Sequence, residues 1–158
     1  MAAGGLTPGR NVVMTAERKK AGGEIVKLTD HAGFQASGAA WVWNADSNHW
    51  HFLLISHMID SKGPLWVYQR LMRIFSKFHL PPLITPLDIL IKSPRQVDYR
   101  DFLIRVNNDG DEISEITDLS VNDLGIDYMA IYRMLPLPKN AGEQTRKFDS
   151  RVNELMAA

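Results

Sequence analysis

Hydrophobic and polar positions along residues 41–55 predict a β-hairpin. Trp41 and Trp43 lie on one face of a first strand, and the run NADSN at residues 44–48 supplies typical turn residues. In the returning strand, one face carries Trp50, Phe52 and Leu54, and the other carries His49, His51, Leu53 and Ile55. Because both faces carry large side chains, we expect a central strand that is covered on part of each side.

After the hairpin, apolar residues recur at the spacing of an α-helix. Asp60 or Ser61 is a candidate N-cap, and Pro64 suits a first helical turn because its missing N–H would lack a partner there. The helix is expected to end before Pro81, since proline cannot continue it. Its apolar stripe would consist of Leu65, Tyr68, Leu71, Met72, Phe75 and Phe78.

A third strand is predicted over residues 87–92, so that strand, helix and strand follow one another. Such a crossover is usually parallel and right-handed. The segments that leave the two strands, residues 57–64 and 92–95, are therefore expected at the same edge of the sheet.

The rest of the pattern predicts four helical stretches and a second hairpin. The helical stretches cover residues 11–28, 24–34, 95–106 and 142–156. A break or kink is expected at Gly22-Gly23, because glycine is a poor helix former. The strands of the second hairpin cover residues 113–119 and 127–134.

These elements predict an α+β fold: a two-layer sandwich with a mixed sheet of about five strands, helices packed on one face and a terminal amphipathic helix. A chain of 158 residues, 45% hydrophobic and 23% charged, is long enough to bury a core of its own. We predict a flexible N-terminal tail at residues 1–10 and a single α+β domain at residues 11–135. A proline-containing linker and the C-terminal helix would follow at residues 136–158.

The amino-acid composition excludes several kinds of site and segment. The sequence contains no cysteine, which excludes disulfides, thiolate metal sites and cysteine nucleophiles. Residues 1–30 contain no apolar stretch typical of an export signal, and the longest apolar run, residues 52–55, is far too short to cross a membrane. We therefore expect a cytoplasmic protein that does not interact with membranes.

Charge is distributed unevenly although the net charge is zero. Eight basic residues accompany three acidic ones between Lys62 and Arg105, whereas the segment from Asp109 to Asp127 contains seven acidic residues and no Lys or Arg. This asymmetry indicates either a partner surface or two parts of one fold that neutralise each other. With a sequence pI near 7.0, nucleic-acid binding is not expected.

The strand-end edge is the main candidate site. Helix N-termini and basic side chains that meet there could hold a phosphate or carboxylate. The candidate residues for this anion site are His57, Ser61, Lys62, Lys92, Ser93 and Arg95. In the alternative interpretation, Asp60 or Ser61 caps one helix, Ser93 caps the next, and the basic side chains are simply solvated.

The C-terminal helix is a second candidate surface. Its apolar side chains are Phe148, Val152, Leu155 and Met156. They would either pack on the core of the chain itself or, beyond the stiff LPLPKN segment, form an arm that binds a second copy or another protein.

Other groups of polar residues are weaker candidates for a functional site. His49 and His51 have a spacing that can present two imidazoles to a metal, but further ligands, such as His31 or Asp46, would have to come from elsewhere. No catalytic residue is nominated, and neither a metal nor a cofactor is expected.

Several short runs of residues are the basis of a resemblance to other proteins. The runs W-V-W, W-H-F and I-D-S-K-G-P before a helix, S-P after a strand and a final A-I-Y-R resemble those of a group of small bacterial proteins of unassigned function. The resemblance covers Trp41 to Arg133 and implies a compact α+β domain. It carries no catalytic residue across.

Two hypotheses for function follow. The first is a non-catalytic binding or assembly protein that forms a homo-oligomer, or binds a protein partner, through the terminal helix or a sheet edge. The second is a small enzyme or ligand sensor that holds an anionic group at the strand-end edge.

Overall fold

A computed structural model describes residues 13–44, 46–106, 108–110, 112–121 and 124–158, with the backbone alone at residues 118–121 and 124–125. Within these ranges there are five helices: α1 (Ala16–His31), α2 (Met58–Lys62), α3 (Pro64–Phe78), α4 (Tyr99–Arg105) and α5 (Ala141–Ala157). The strands are β1 (Gly38–Asn44), β2 (His49–Ile55), β3 (Ile89–Lys92), β4 (Ser114–Val121) and β5 (Leu124–Met134). The tail predicted for residues 1–10 lies outside the described residues.

The strands form one mixed sheet in the order β3-β2-β1-β5-β4. β2 and β3 are parallel, with Phe52 opposite Ile89 and Ile55 opposite Lys92. The neighbouring pairs β2–β1, β1–β5 and β5–β4 are antiparallel. The α+β fold, the five-stranded mixed sheet and the parallel crossover from β2 to β3 are therefore confirmed.

Side chains from both faces of the sheet are buried. On the first face, α1, α3 and α5 cover a large core that includes Trp41 and Phe52. On the second face, α4 supplies Tyr99 and Phe102 to a smaller cluster with Ala40 and other sheet residues. The prediction that β2 is covered on each side thus holds, because the aromatic face meets three helices and the other face meets α4.

Helix α1 differs from its prediction. It begins after Thr15, whose hydroxyl accepts a hydrogen bond from Arg18 N, and it continues through Gly22-Gly23 to His31. The expected break, and the separate stretch over residues 24–34, were wrong. Tertiary packing outweighs the low helix propensity of glycine here, because Gly22 lies directly against the sheet.

The start of α3 is confirmed at Pro64, but its N-cap is Gly63, with φ of +87°. Asp60 and Ser61 are not caps of this helix because they lie within the short helix α2. The predicted stripe was partly wrong, since Leu65 is 70% exposed. The residues of α3 that are buried are Val67, Leu71, Ile74 and Phe75.

The C-terminal helix packs on the chain itself. Phe148 and Val152 are fully buried and Leu155 nearly so, within the core of the first face, and Met156 packs against the same core. The ring of Phe148 contacts those of Phe34 and Trp66, with centroids 5.1 and 5.9 Å away. These apolar residues are therefore not an exposed partner surface in this structure, and the projecting arm is not supported.

None of the helices within the described ranges combines the length and the apolar character that crossing a membrane would require.

Candidate functional site

The exits of β2 and β3 meet, as the parallel crossover predicted. Ser56 N, directly after β2, donates a hydrogen bond of 3.1 Å to the carbonyl of Lys92 at the end of β3. The chain then enters α2 on one side and the turn before α4 on the other. The prediction that the two strand exits lie at the same edge of the sheet is therefore confirmed.

Several backbone N–H groups at this edge already have hydrogen-bond partners. Ser56 Oγ accepts a hydrogen bond from Met58 N at 3.1 Å. Ser93 Oγ accepts from Arg95 N and Gln96 N, both at 3.2 Å. An anion site at a helix start needs N–H groups without partners. Ser93 therefore caps the turn that follows β3, and the expectation that it caps the next helix is wrong, because the N-cap of α4 is Asp98. The Ser93 hydroxyl already accepts two backbone hydrogen bonds, which does not favour its role as an anion ligand.

The other candidates on the α2 side face different surroundings. His57 Nε2 lies 2.6 Å from Gln144 Oε1, so this histidine joins the start of α2 to α5. Ser61 and Lys62 are exposed, and Lys62 Nζ lies 5.6 Å from the centre of the Trp66 ring. His57 thus contacts α5, whereas Lys62 lies near a ring of α3.

The two remaining cations point to separate places. Arg95 lines an open depression of about 610 Å³ together with residues of α4 and Pro136. Lys92 alternates with the buried Ile91 along β3 and so lies on the second face of the sheet. The six candidates do not form one cluster, and the predicted anion site made of all six is corrected accordingly.

Lys92 instead belongs to a groove that sequence analysis missed. The groove has a volume of about 270 Å³ and lies on the second face, between the β1–β2 turn and the end of β3. Its apolar lining is Val42, Leu53 and Leu90, and its polar lining is Asn44, Asp46, Ser47, His51 and Lys92. We call this site the sheet groove.

Local sequence explains the shape of the sheet groove. Alternation along β1, β2 and β3 places small and aliphatic residues on the second face, whereas the tryptophans lie on the first. Helix α4 has only seven residues and covers the sheet around Ala40 and Ile55. The part of the second face nearest the β1–β2 turn therefore remains open.

His51, which lines the sheet groove, forms a pair with His49 on the same strand. The rings of His49 and His51 are 4.9 Å apart, and His49 Nε2 lies 2.6 Å from Asp88 Oδ1. Burial lowers the pKa of His51, the neighbouring His49 lowers it further, and Asp88 opposes the shift. His51 is therefore neutral near pH 7, and Lys92 is the cation that lines the groove.

Asp88 is held firmly. Burial by itself would raise its pKa, but hydrogen bonds from Thr85 N and from the His49 ring, with a weaker one from the Thr85 hydroxyl, bring the pKa below its usual range. Asp88 is thus ionised at neutral pH and orients His49. No group of three or more histidine or carboxylate side chains suited to a metal occurs in the described part of the chain.

The two edges of the sheet differ. On β3, Ile89 N donates to the carbonyl of Pro86, and Ile91 N donates to the Tyr68 hydroxyl at 2.9 Å. On the opposite edge, β4 has eight residues and pairs with β5 on one side; across the described ranges no strand lies on its other side. The N–H groups of the short edge are thus engaged, whereas the long edge has no strand beside it within the described part of the chain.

Comparison with protein-family models, with curated proteins and with solved structures finds no match to this chain.

Proposed function

We propose that this protein is a non-catalytic binding and assembly protein that associates with a second copy of itself through the open edge of β4. The observation that supports this proposal is the contrast between the two sheet edges. Both outward N–H groups of β3 have internal partners, at Pro86 and Tyr68, whereas β4 offers an eight-residue edge. Unpaired strand edges readily add another strand, and proteins usually block them when no partner exists.

Pairing of two β4 strands would be antiparallel about a twofold axis. Such an interface is self-complementary, since each copy presents the same backbone groups to the other. It would join the two five-stranded sheets into one continuous sheet. The sequence suggested two surfaces for assembly, the terminal helix and a sheet edge. Because the terminal helix packs on the core of its own chain, we propose the sheet edge.

Charge would make this association weak at low salt. The segment from Asp109 to Asp127, which contains β4, carries seven acidic residues and no Lys or Arg. Two such segments repel each other across the interface. Salt screens exposed charges over about 10 Å at 0.1 M, so association should strengthen as ionic strength rises.

Sedimentation equilibrium over a range of protein and salt concentrations tests the proposal. We expect a monomer–dimer equilibrium in which the dimer fraction rises with salt. Hydrogen exchange should show that backbone amides of β4 become protected as the protein concentration increases, while those of β3 do not change. A protein that stays monomeric at all concentrations and salts, or a dimer that leaves β4 unprotected, would contradict the proposal.

A matched pair of charge variants sharpens the test. Glu112 is exposed just before β4, so Glu112→Lys should strengthen the dimer at low salt. Glu24 is exposed on α1 and changes the net charge by the same amount, so Glu24→Lys should leave the dimer unaffected. Equal effects of the two variants would show that net charge, and not the β4 edge, governs association. We place this assembly in the cytoplasm, in keeping with a sequence that lacks cysteine.

A further inference from the structure

We propose that the sheet groove is a binding site for a small molecule that has an apolar body and one terminal anionic group, a carboxylate or a phosphate. This site is independent of the β4 edge, because β4 contributes no residue to the groove. The inference rests on the apolar floor, on the single cation at one end and on the carboxylate at the other.

The floor of the groove is aliphatic and preformed. Leu53 of β2, Leu90 of β3 and Val42 of β1 lie on adjacent strands, with Leu53 directly opposite Leu90 in the sheet register. Leu53 is 4% exposed, and Val42 and Leu90 are half-buried. An aliphatic or aromatic body laid on this floor would remove the exposed apolar surface of Val42 and Leu90 from water, which favours binding.

The cation at the β3 end fixes the charge of the ligand. Lys92 lies opposite Ile55, at the end of the groove that is far from the hairpin turn. It makes no ion pair with any of the described residues, and it lines the groove together with Leu53 and Leu90. An anionic group beside this ammonium would gain a charge-assisted hydrogen bond.

The opposite end of the groove fixes the orientation. Asp46 and Ser47 belong to the β1–β2 turn and line the groove there. The Asp46 carboxylate repels an anion, so the anionic group of the ligand should lie towards Lys92 and its apolar body towards His51. The strand β2 runs from His49 beside the turn to Ile55 opposite Lys92, so the two ends are separated by roughly 20 Å. With a volume of about 270 Å³, the groove therefore fits a small molecule and not a folded partner.

Octyl sulfate is a suitable probe because it combines an alkyl body with a permanent negative charge. Isothermal titration of the full chain, below the concentration at which the probe forms micelles, should give binding to one site. Methyl NMR signals of Val42, Leu53 and Leu90 should shift on titration, and 1-octanol should bind about tenfold or more weakly, because it lacks the charge. Octyltrimethylammonium should not bind in the groove.

Three lysine variants isolate the cation. Lys92→Gln should weaken octyl sulfate binding about tenfold, and Lys92→Arg should restore most of the affinity. Lys27 is exposed on α1, so Lys27→Gln removes the same charge away from the groove and should leave binding unchanged. All three substitutions affect side chains that are not fully buried, so the fold is expected to be retained.

Two results would overturn the inference. One is equal affinity of wild type and Lys92→Gln for octyl sulfate. The other is a set of NMR shifts confined to the depression around Arg95 and Tyr99, which would locate the probe there. The Glu112→Lys variant should bind the probe like wild type, so failure of this inference is distinguishable from failure of self-association.

Discussion

The hydroxyl of Tyr132 occupies the position next to Gly22 where any other residue would carry its side chain: a Cβ at Gly22 would clash with Tyr132 Oη. That hydroxyl donates a hydrogen bond of 2.6 Å to the carbonyl of Lys19, one turn earlier in α1. Trp41 Nε1 donates a similar bond of 2.9 Å to Arg18 O. Two aromatic side chains of the sheet thus hold α1 by its backbone, and Gly22 permits their close approach.

This contact predicts opposite effects of two neighbouring substitutions. Gly22→Ala should lower the free energy of unfolding by about 1–3 kcal/mol, because the added methyl group would displace Tyr132 and Trp41. Gly23→Ala should raise it by up to about 1 kcal/mol, because alanine favours the helix and its Cβ would lie 4.0 Å from the nearest Tyr132 atom. Urea denaturation measures both. Equal effects would disprove close packing at Gly22.

Packing of α5 on the core predicts a large loss of stability when it is weakened. Phe148→Ala should lower the free energy of unfolding by about 3–5 kcal/mol, since the ring is fully buried. Met156→Ala, on the same helix but only partly buried, should cost much less. If α5 were instead an arm that serves only a partner, both variants would unfold at the wild-type urea concentration.

The Tyr68 hydroxyl should protect the β3 edge. Tyr68→Phe leaves Ile91 N–H without its partner and is expected to cost about 1 kcal/mol of stability. Hydrogen exchange at Ile91 should accelerate more than at Leu90, whose neighbour is β2. Unchanged exchange at Ile91 would mean that the hydroxyl does not shield this edge.

The lowered pKa of Asp88 predicts a pH-dependent contribution to stability. A carboxyl group whose pKa is lower in the folded state stabilises the fold above its unfolded pKa, which is about 3.9, and this contribution is lost as the pH falls through the folded value. Asp88→Asn should therefore be less stable than wild type at neutral pH. The difference in urea midpoint should shrink as the pH falls below about 4. A constant difference would assign the effect to packing.

Protonation of His51 should strengthen anion binding in the sheet groove. As the pH falls from about 7.5 through its lowered pKa, His51 gains a positive charge that adds to that of Lys92. His49, Asp88 and Asp46 are the other titratable groups that adjoin it. Octyl sulfate keeps its charge, so its affinity should rise as the pH is lowered below about 6.5, the ordinary pKa of histidine.

Two histidine variants provide the comparison for this effect. His51→Gln should abolish most of the pH dependence of octyl sulfate binding. His31→Gln, at the exposed end of α1, should preserve it. Equal pH dependence in both variants would exclude His51 as its source.

Strand alternation and turn residues were enough to predict the hairpin of β1 and β2, the strand β3 and their parallel crossover. Each of these depends on neighbours that are close in sequence, such as Trp41 and Trp43 on one face of β1. The N-terminal helix was predicted poorly. Gly22 packs against Trp41 and Tyr132, and these two residues belong to strands that are distant in the sequence.

For the candidate site, too, the sequence predicted some features and not others. Sequence order indicated that Lys92 and His57 leave adjacent parallel strands, and it correctly placed the strand exits at one edge. It left open whether Ser93 caps a helix or binds an anion, and it did not show that Lys92 would lie on the face of the sheet opposite the α3 core. Those outcomes depend on side-chain hydrogen bonds and on which helix covers which face.

The sequence by itself therefore determined the elements, their amphipathic faces and the direction of the crossover, because periodicity and turn chemistry act between near neighbours. Tertiary structure decided what each face meets: α5 on its own core, α4 over only part of the second face, and an open groove between Leu53 and Lys92. Packing energy arises from contacts between residues far apart in the chain, and linear spacing does not specify those contacts.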